Sequence, residues 1–146
     1  MIYWFTGQPG AGKTTLAKYL GTHLHLKNPL LIDGDDIREI FQNKDYSEAG
    51  RLKNIELAQN MALFAHKKGF NVCVSLVSPY KTQREAFKAR LGDQIKELYV
   101  HAFTDRGRTQ FHVAEYEPPT DNFIDIDTTN DTEFESYKRI VKELGL

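Results

Sequence analysis

A chain of 146 residues, 40% apolar and 27% charged, is expected to form a single domain, residues 1–146, with a core of useful size. Its net charge of −1 argues against a nucleic-acid or membrane surface. The lack of a long apolar run or signal-like stretch predicts a cytoplasmic protein, and the single cysteine rules out a disulfide framework.

Residues 1–6, apolar and aromatic, read as a buried strand. Gly7-Gln8-Pro9-Gly10-Ala11-Gly12-Lys13-Thr14 follows and fits G-x-x-x-x-G-K-[ST], the phosphate-binding P-loop. Glycines let backbone N–H groups approach a polyphosphate without a Cβ in the way. The helix that opens at Thr14-Thr15, with Leu16, Ala17 and Leu20 on one side, offers its positive dipole end to the same anion. Gly7, Gly10, Ala11, Gly12, Lys13, Thr14 and Thr15 are therefore the candidate ATP site. Lys13 should reach the β- and γ-phosphates, and the Thr14 hydroxyl should take a position on Mg²⁺.

Asn28-Pro29 breaks the helical pattern, and residues 30–33 read as a short buried strand. It ends in Asp33-Gly34-Asp35-Asp36. Carboxylates at the carboxyl end of a strand lie where open α/β sheets bind ligands. One could hold a Mg²⁺-bound water, and another accept a proton from an attacking hydroxyl. The alternative is a helix N-cap with acidic first-turn residues, a reading that suits Asp36 best. A polar stretch, 42–51, leads into a long helix with an apolar stripe at Ile55, Ala58, Met61, Ala62 and Ala65, widened by Leu57 and Phe64. It stops at Lys67-Lys68-Gly69. On this helix's first turns Arg51 and Asn54, taken alone, read as solvated residues.

Residues 71–77 form a third strand, apolar enough to be central, with Cys73 as a buried thiol. A helix over 81–91 ends at Gly92, a fourth strand covers 97–103, and a fifth covers 123–127. The last helix starts near Asp131 with Phe134, Tyr137, Ile140, Val141 and Leu144 on one side. His23 and His25 should face apart if their turn stays helical, and a metal role needs more ligands than that spacing offers. Alternating strands and helices predict an α/β P-loop NTPase fold, a five-stranded parallel sheet flanked by helices.

Beyond the P-loop, Asp33-Gly34-Asp35-Asp36-Ile37-Arg38 resembles the D-G-D-N-[VL]-R run of adenylylsulfate kinases (APS kinases). Tyr46-Ser47, Arg51 and Asn54-Ile55 are similar to F-S-x-x-D-R-x-x-N-I, and 74–80 with Arg84 to V-S-x-I-S-P-[YF]-x-x-x-R. Phe111, Tyr116-Glu117-Pro118-Pro119 and Ile126-Asp127-Thr128 resemble F-T-G-I, Y-E-x-P and L-D-T. The resemblance implies transfer of the ATP γ-phosphate to the 3′-hydroxyl of adenylyl sulfate, giving PAPS. Asp35 would be the base or orienter and Asp33 would support Mg²⁺. Arg38, Arg51 and Asn54 would hold the acceptor's phosphosulfate and nearby groups. Ser78, Pro79 and Tyr80 would line the acceptor site, and Phe111 would stack on its adenine. Family members are often dimers, so a homodimer is implied.

The chain departs from the family in several places. Gly50 stands where an acidic residue precedes Arg51, and Glu56 and Leu57 where arginines follow N-I. Residues 104–111 are shorter than the family's lid, so Arg106 or Arg108 would have to supply its cations. A related P-loop kinase acting on another nucleoside, nucleotide or polynucleotide hydroxyl is the competing reading. A catalytically weak ATP-binding module is a third, and the presence of Lys13, Thr14, Asp33 and Asp35 together speaks against it.

Overall fold

A computed structural model describes residues 1–103 and 113–146. Arg106, Arg108 and Phe111 lie outside the described residues. The elements run in the order β1 (Ile2–Thr6), α1 (Lys13–Gly21), β2 (Pro29–Asp33), α2 (Gly34–Ile40), α3 (Glu48–Lys67), β3 (Asn71–Ser75), α4 (Lys81–Leu91), a 3₁₀ turn (Gly92–Gln94), β4 (Ile95–His101), β5 (Ile124–Asp127) and α5 (Glu133–Leu144). The strands form one five-stranded sheet in the order β2-β3-β1-β4-β5, with every neighbouring pair parallel.

β1 lies at the centre, and its alternation builds both halves of the core. Ile2 and Trp4 face the side covered by α2, α3 and α4, where they meet Ile37, Ile55, Ala62 and Phe87. Tyr3 and Phe5 face α1 and α5 with Leu16, Leu20 and Ile140. Cys73 is fully buried on this second side, and burial pushes its thiol up to about 12. Among the described residues no helix is long and apolar enough to cross a membrane.

The structure corrects several expectations from the sequence. β2 is an edge strand rather than a buried one, because no strand among the described residues pairs beyond it. Only Ile32 of its apolar residues is buried, with Leu30 and Leu31 exposed. β3 lies inside the sheet beside the central β1 and stops at Ser75 rather than at residue 77. Ser78 then turns the chain with φ +48°. β4 begins two residues earlier than its apolar run, because Ile95 already pairs with Ile2. Phe64 and Phe134 point to solvent: α3 and α5 each bury a narrower stripe than their apolar residues outline. α1 ends at Gly21, so His23 and His25 are not held on a helix. Their rings meet edge to face, with centroids 5.5 Å apart.

The short helix α2 was expected only through the N-cap alternative at Asp33–Asp36, without bounds. It buries one apolar side chain, Ile37, too few to set up a periodic pattern.

Candidate active site

The carboxyl ends of β1, β2 and β3 meet at the P-loop, as the ligand edge of an open parallel sheet requires. Gly7 can only be glycine here. Its φ is +151°, and a Cβ would come within 2.1 Å of the Val100 carbonyl oxygen. Gly12 caps α1 at φ 105°, and Lys13 opens the helix. Its ammonium donates to the Gln8 carbonyl at 3.0 Å, which folds the side chain back over the loop. Thr128, at the end of β5, donates to the Ala11 carbonyl at 2.9 Å and anchors the loop from the far side.

Thr14 and Asp33 meet directly. The Thr14 hydroxyl donates to Asp33 Oδ2 at 3.0 Å and lies 3.1 Å from Ser75 Oγ. Asp33 Oδ1 accepts the Asp35 backbone N–H at 2.9 Å and so caps α2. Of the sequence readings of this run, the N-cap is seen at Asp33 itself, one oxygen capping the helix while the other accepts from Thr14. A hydroxyl, a carboxylate oxygen and a second hydroxyl are hard donors that suit Mg²⁺, an ion that keeps several waters.

These groups open onto one cleft of about 810 Å³. Pro9, Gly10, Gly12, Lys13, Thr14 and Thr15 line one end, and Asp33, Asp35, Arg38, Arg51, Asn54, Ser78 and Pro79 line the rest. Asp35 is exposed, one helical turn N-terminal to Arg38. The Arg38 guanidinium donates to the Asn43 and Asp45 carbonyls at 3.1 and 3.0 Å and lies 4.0 Å from the Tyr46 ring centre. Hydrogen bonds from Ser47 hold the Asp45 carboxyl below the usual carboxylate range. Gly50 is forced by this turn, since a Cβ would stand 2.1 Å from the Asp45 carbonyl oxygen.

Asn54 is buried rather than solvated. Its amide reaches the Gly34 carbonyl at 3.5 Å, and its Oδ1 is buried without a hydrogen-bond partner. Arg51 is half-buried and pairs with Glu115 at 3.6 Å. Three of the expected residues do not line the cleft. Gly7 packs against Val100, Ala11 belongs to the core on the α1 side, and Tyr80 packs against the core on the α3 side.

Two constellations escaped the sequence reading. Gln8, an unremarked position within the P-loop, clasps Val113 through both atoms of its amide. Its Nε2 donates to the Val113 carbonyl at 2.7 Å, and its Oε1 accepts the Val113 N–H at 2.8 Å. The second is a buried ionic network behind Ser78. Arg84 pairs with Glu97 at 3.0 Å, both side chains 1% exposed. Arg84 also donates to the Ser78 carbonyl at 2.7 Å and to the Glu117 carbonyl. Lys88 reaches the other Glu97 oxygen and the Asp121 carbonyl, each at 2.8 Å. This network holds the left-handed turn at Ser78 beneath the cleft. A lysine or arginine four residues from another, opposite a glutamate in an apolar strand, was its one sequence signal.

A central strand, a P-loop, a helix and two carboxylates at the end of the edge strand β2 define an ATP-dependent P-loop kinase. The chain belongs to the adenylylsulphate kinase family, whose model it matches over residues 1–127. It is similar to the APS kinase of Mycobacterium tuberculosis in complex with AMPPNP and APS, at 19% identity and a TM-score of 0.81, covering 99% of this chain and 97% of that one. It is also similar to the hexameric APS kinase of Thiobacillus denitrificans, at 27% identity and a TM-score of 0.76, covering 99% of this chain and 28% of that one. A gluconokinase from Sinorhizobium meliloti shares the fold at 13% identity and a TM-score of 0.64, covering 99% of this chain and 94% of that one.

Proposed function

We propose that this chain is a single-domain kinase that transfers the γ-phosphate of ATP to the 3′-hydroxyl of adenylyl sulfate, giving PAPS, in the cytoplasm. One observation carries the reading: the P-loop end and the Asp35, Arg38, Arg51 and Asn54 end belong to one cleft, so donor and acceptor could lie in line. The loop amides and Lys13 bind the triphosphate. Thr14 and Asp33 would hold Mg²⁺, which when bound would supply positive charge to the transferring phosphate.

Asp35, exposed on the cleft wall, accepts the proton of the acceptor hydroxyl as it attacks. In-line transfer asks for positioning and charge stabilisation more than covalent chemistry, which suits a wall of short fixed elements. Arg51 and Asn54 hold the acceptor's anionic and polar groups, while Arg38 orders the Asn43–Asp45 turn and offers its remaining donors. Ser78 and Pro79 form the floor.

A second reading is a kinase for a less anionic hydroxyl. It is favoured by the engagement of Arg38 with two backbone carbonyls, which reduces what it can give to a phosphosulfate. The test is steady-state transfer from ATP to adenylyl sulfate beside nucleosides, nucleotides, 5′-hydroxyl oligonucleotides and simple polyols. The expected result is the highest kcat/KM for adenylyl sulfate. A higher value for an uncharged acceptor would replace it with the second reading.

A further inference from the structure

Arg51, like Arg38, is a half-buried acceptor-side cation, and in the structure it faces an anion that the chain itself supplies. Glu115 Oε2 lies 3.6 Å from its guanidinium, with side-chain exposures of 30% for Arg51 and 69% for Glu115. Glu115 is not there by chance of a loose loop. Gln8 grips Val113 through two hydrogen bonds, and the Tyr116 N–H closes a turn onto the Val113 carbonyl at 3.2 Å. The Tyr116 hydroxyl meets Thr6 Oγ1 at 2.9 Å, and the Glu117 N–H donates to the Pro79 carbonyl at 2.9 Å. Glu115 therefore stands on a turn pinned on both sides, one end to the P-loop itself. The ordering cost of bringing its carboxylate to Arg51 is already met by those contacts.

We infer that Glu115 is an intramolecular counter-ion that occupies the anion seat at Arg51 and competes with the acceptor's anionic group. It acts as a specificity determinant, lowering affinity for anionic acceptors while leaving the uncharged part of the acceptor untouched. The inference rests on the proposed role of Arg51 in holding an anion. The pair is exposed on the Glu115 side, so its hold is that of a surface ion pair, and removing it should change affinity by about twofold to fivefold.

The test compares the full chain with its Glu115→Gln variant at low ionic strength. Glutamine keeps size and polarity, and hydrogen exchange of the Val113 amide checks that the Gln8 clasp is intact. Inorganic sulfate is titrated while the Arg51 side-chain resonances are followed by NMR, and the affinities of adenylyl sulfate, adenosine and ATP are measured by calorimetry. The expected result is sulfate binding at Arg51 tightened about twofold to fivefold in the variant, with adenylyl sulfate tightened alike and adenosine and ATP unchanged. Equal or weaker sulfate binding in the variant, or no response of Arg51 to sulfate in either protein, overturns the inference. Tightened sulfate binding with no adenylyl sulfate binding to either protein upholds the counter-ion and rejects the adenylyl sulfate reading instead.

Discussion

Asp33 makes two different contacts through its two oxygens, one capping α2 and one accepting from Thr14, and single substitutions can separate them. Asparagine retains an N-cap acceptor, whereas alanine does not. Asp33→Asn is expected to keep the stability of α2 while reducing phosphoryl transfer about 100-fold or more, through loss of the carboxylate facing Thr14. Asp33→Ala should add a stability loss of about 1 kcal/mol. Thermal unfolding of both variants beside their transfer rates checks this. An Asp33→Asn protein as unstable as Asp33→Ala would mean that the cap is not made by the side-chain oxygen. For Asp35, whose side chain faces open cleft, Asp35→Asn should lower kcat by roughly 10²–10⁴ and leave ATP affinity unchanged. Full transfer by that variant would remove Asp35 as the base.

The elements owe their placement to buried groups that cannot be altered singly. Glu97 serves two cations, Arg84 and Lys88, with 1% of its side chain exposed. Removing one partner of such a network leaves buried charge uncompensated and costs about 3–5 kcal/mol. Glu97→Ala is therefore expected to lower the denaturation midpoint strongly, and chemical denaturation measures it. A loss below about 1 kcal/mol, the size of a surface pair, would show that the network carries little.

Cys73 offers a pH test on the opposite face. Its thiol is raised to about 12 in the fold and ionises near 8.5 when unfolded. The native state then holds a proton that the unfolded state gives up. Stability from this group is complete below about pH 8.5 and is lost progressively as pH rises toward the folded value. Denaturation midpoints measured between pH 8 and 10 should fall less for Cys73→Ser than for the parent chain.

These same elements show where sequence reasoning stops. Strand and helix identities followed from apolar runs and glycine stops. Edge position did not, because Leu30, Leu31 and Ile32 look alike whether or not a neighbour covers them. Helix α2 was signalled only by its cap and acidic first turn, because one buried residue, Ile37, sets no period.

At the scale of the molecule, the nucleotide half of the candidate site was legible because the P-loop is contiguous: eight residues in a row, Gly7 to Thr14, make up its motif. The acceptor half was legible only in pieces. Arg51 and Asn54 looked like solvated helix residues, since their burial is created by α2 and by the turn at Glu115, both distant in sequence. Gln8 meets Val113, and Arg84 and Lys88 of α4 meet Glu97 of β4, only once the chain is folded.

The most direct measurement is a single-turnover reaction of γ-labelled ATP, Mg²⁺ and adenylyl sulfate with the chain and with its Lys13→Ala variant, the product identified by phosphorus NMR. The expected result is label on the 3′-oxygen of adenylyl sulfate at a rate well above ATP hydrolysis, abolished in the variant. ATP bound and hydrolysed, with no label on adenylyl sulfate, would contradict it.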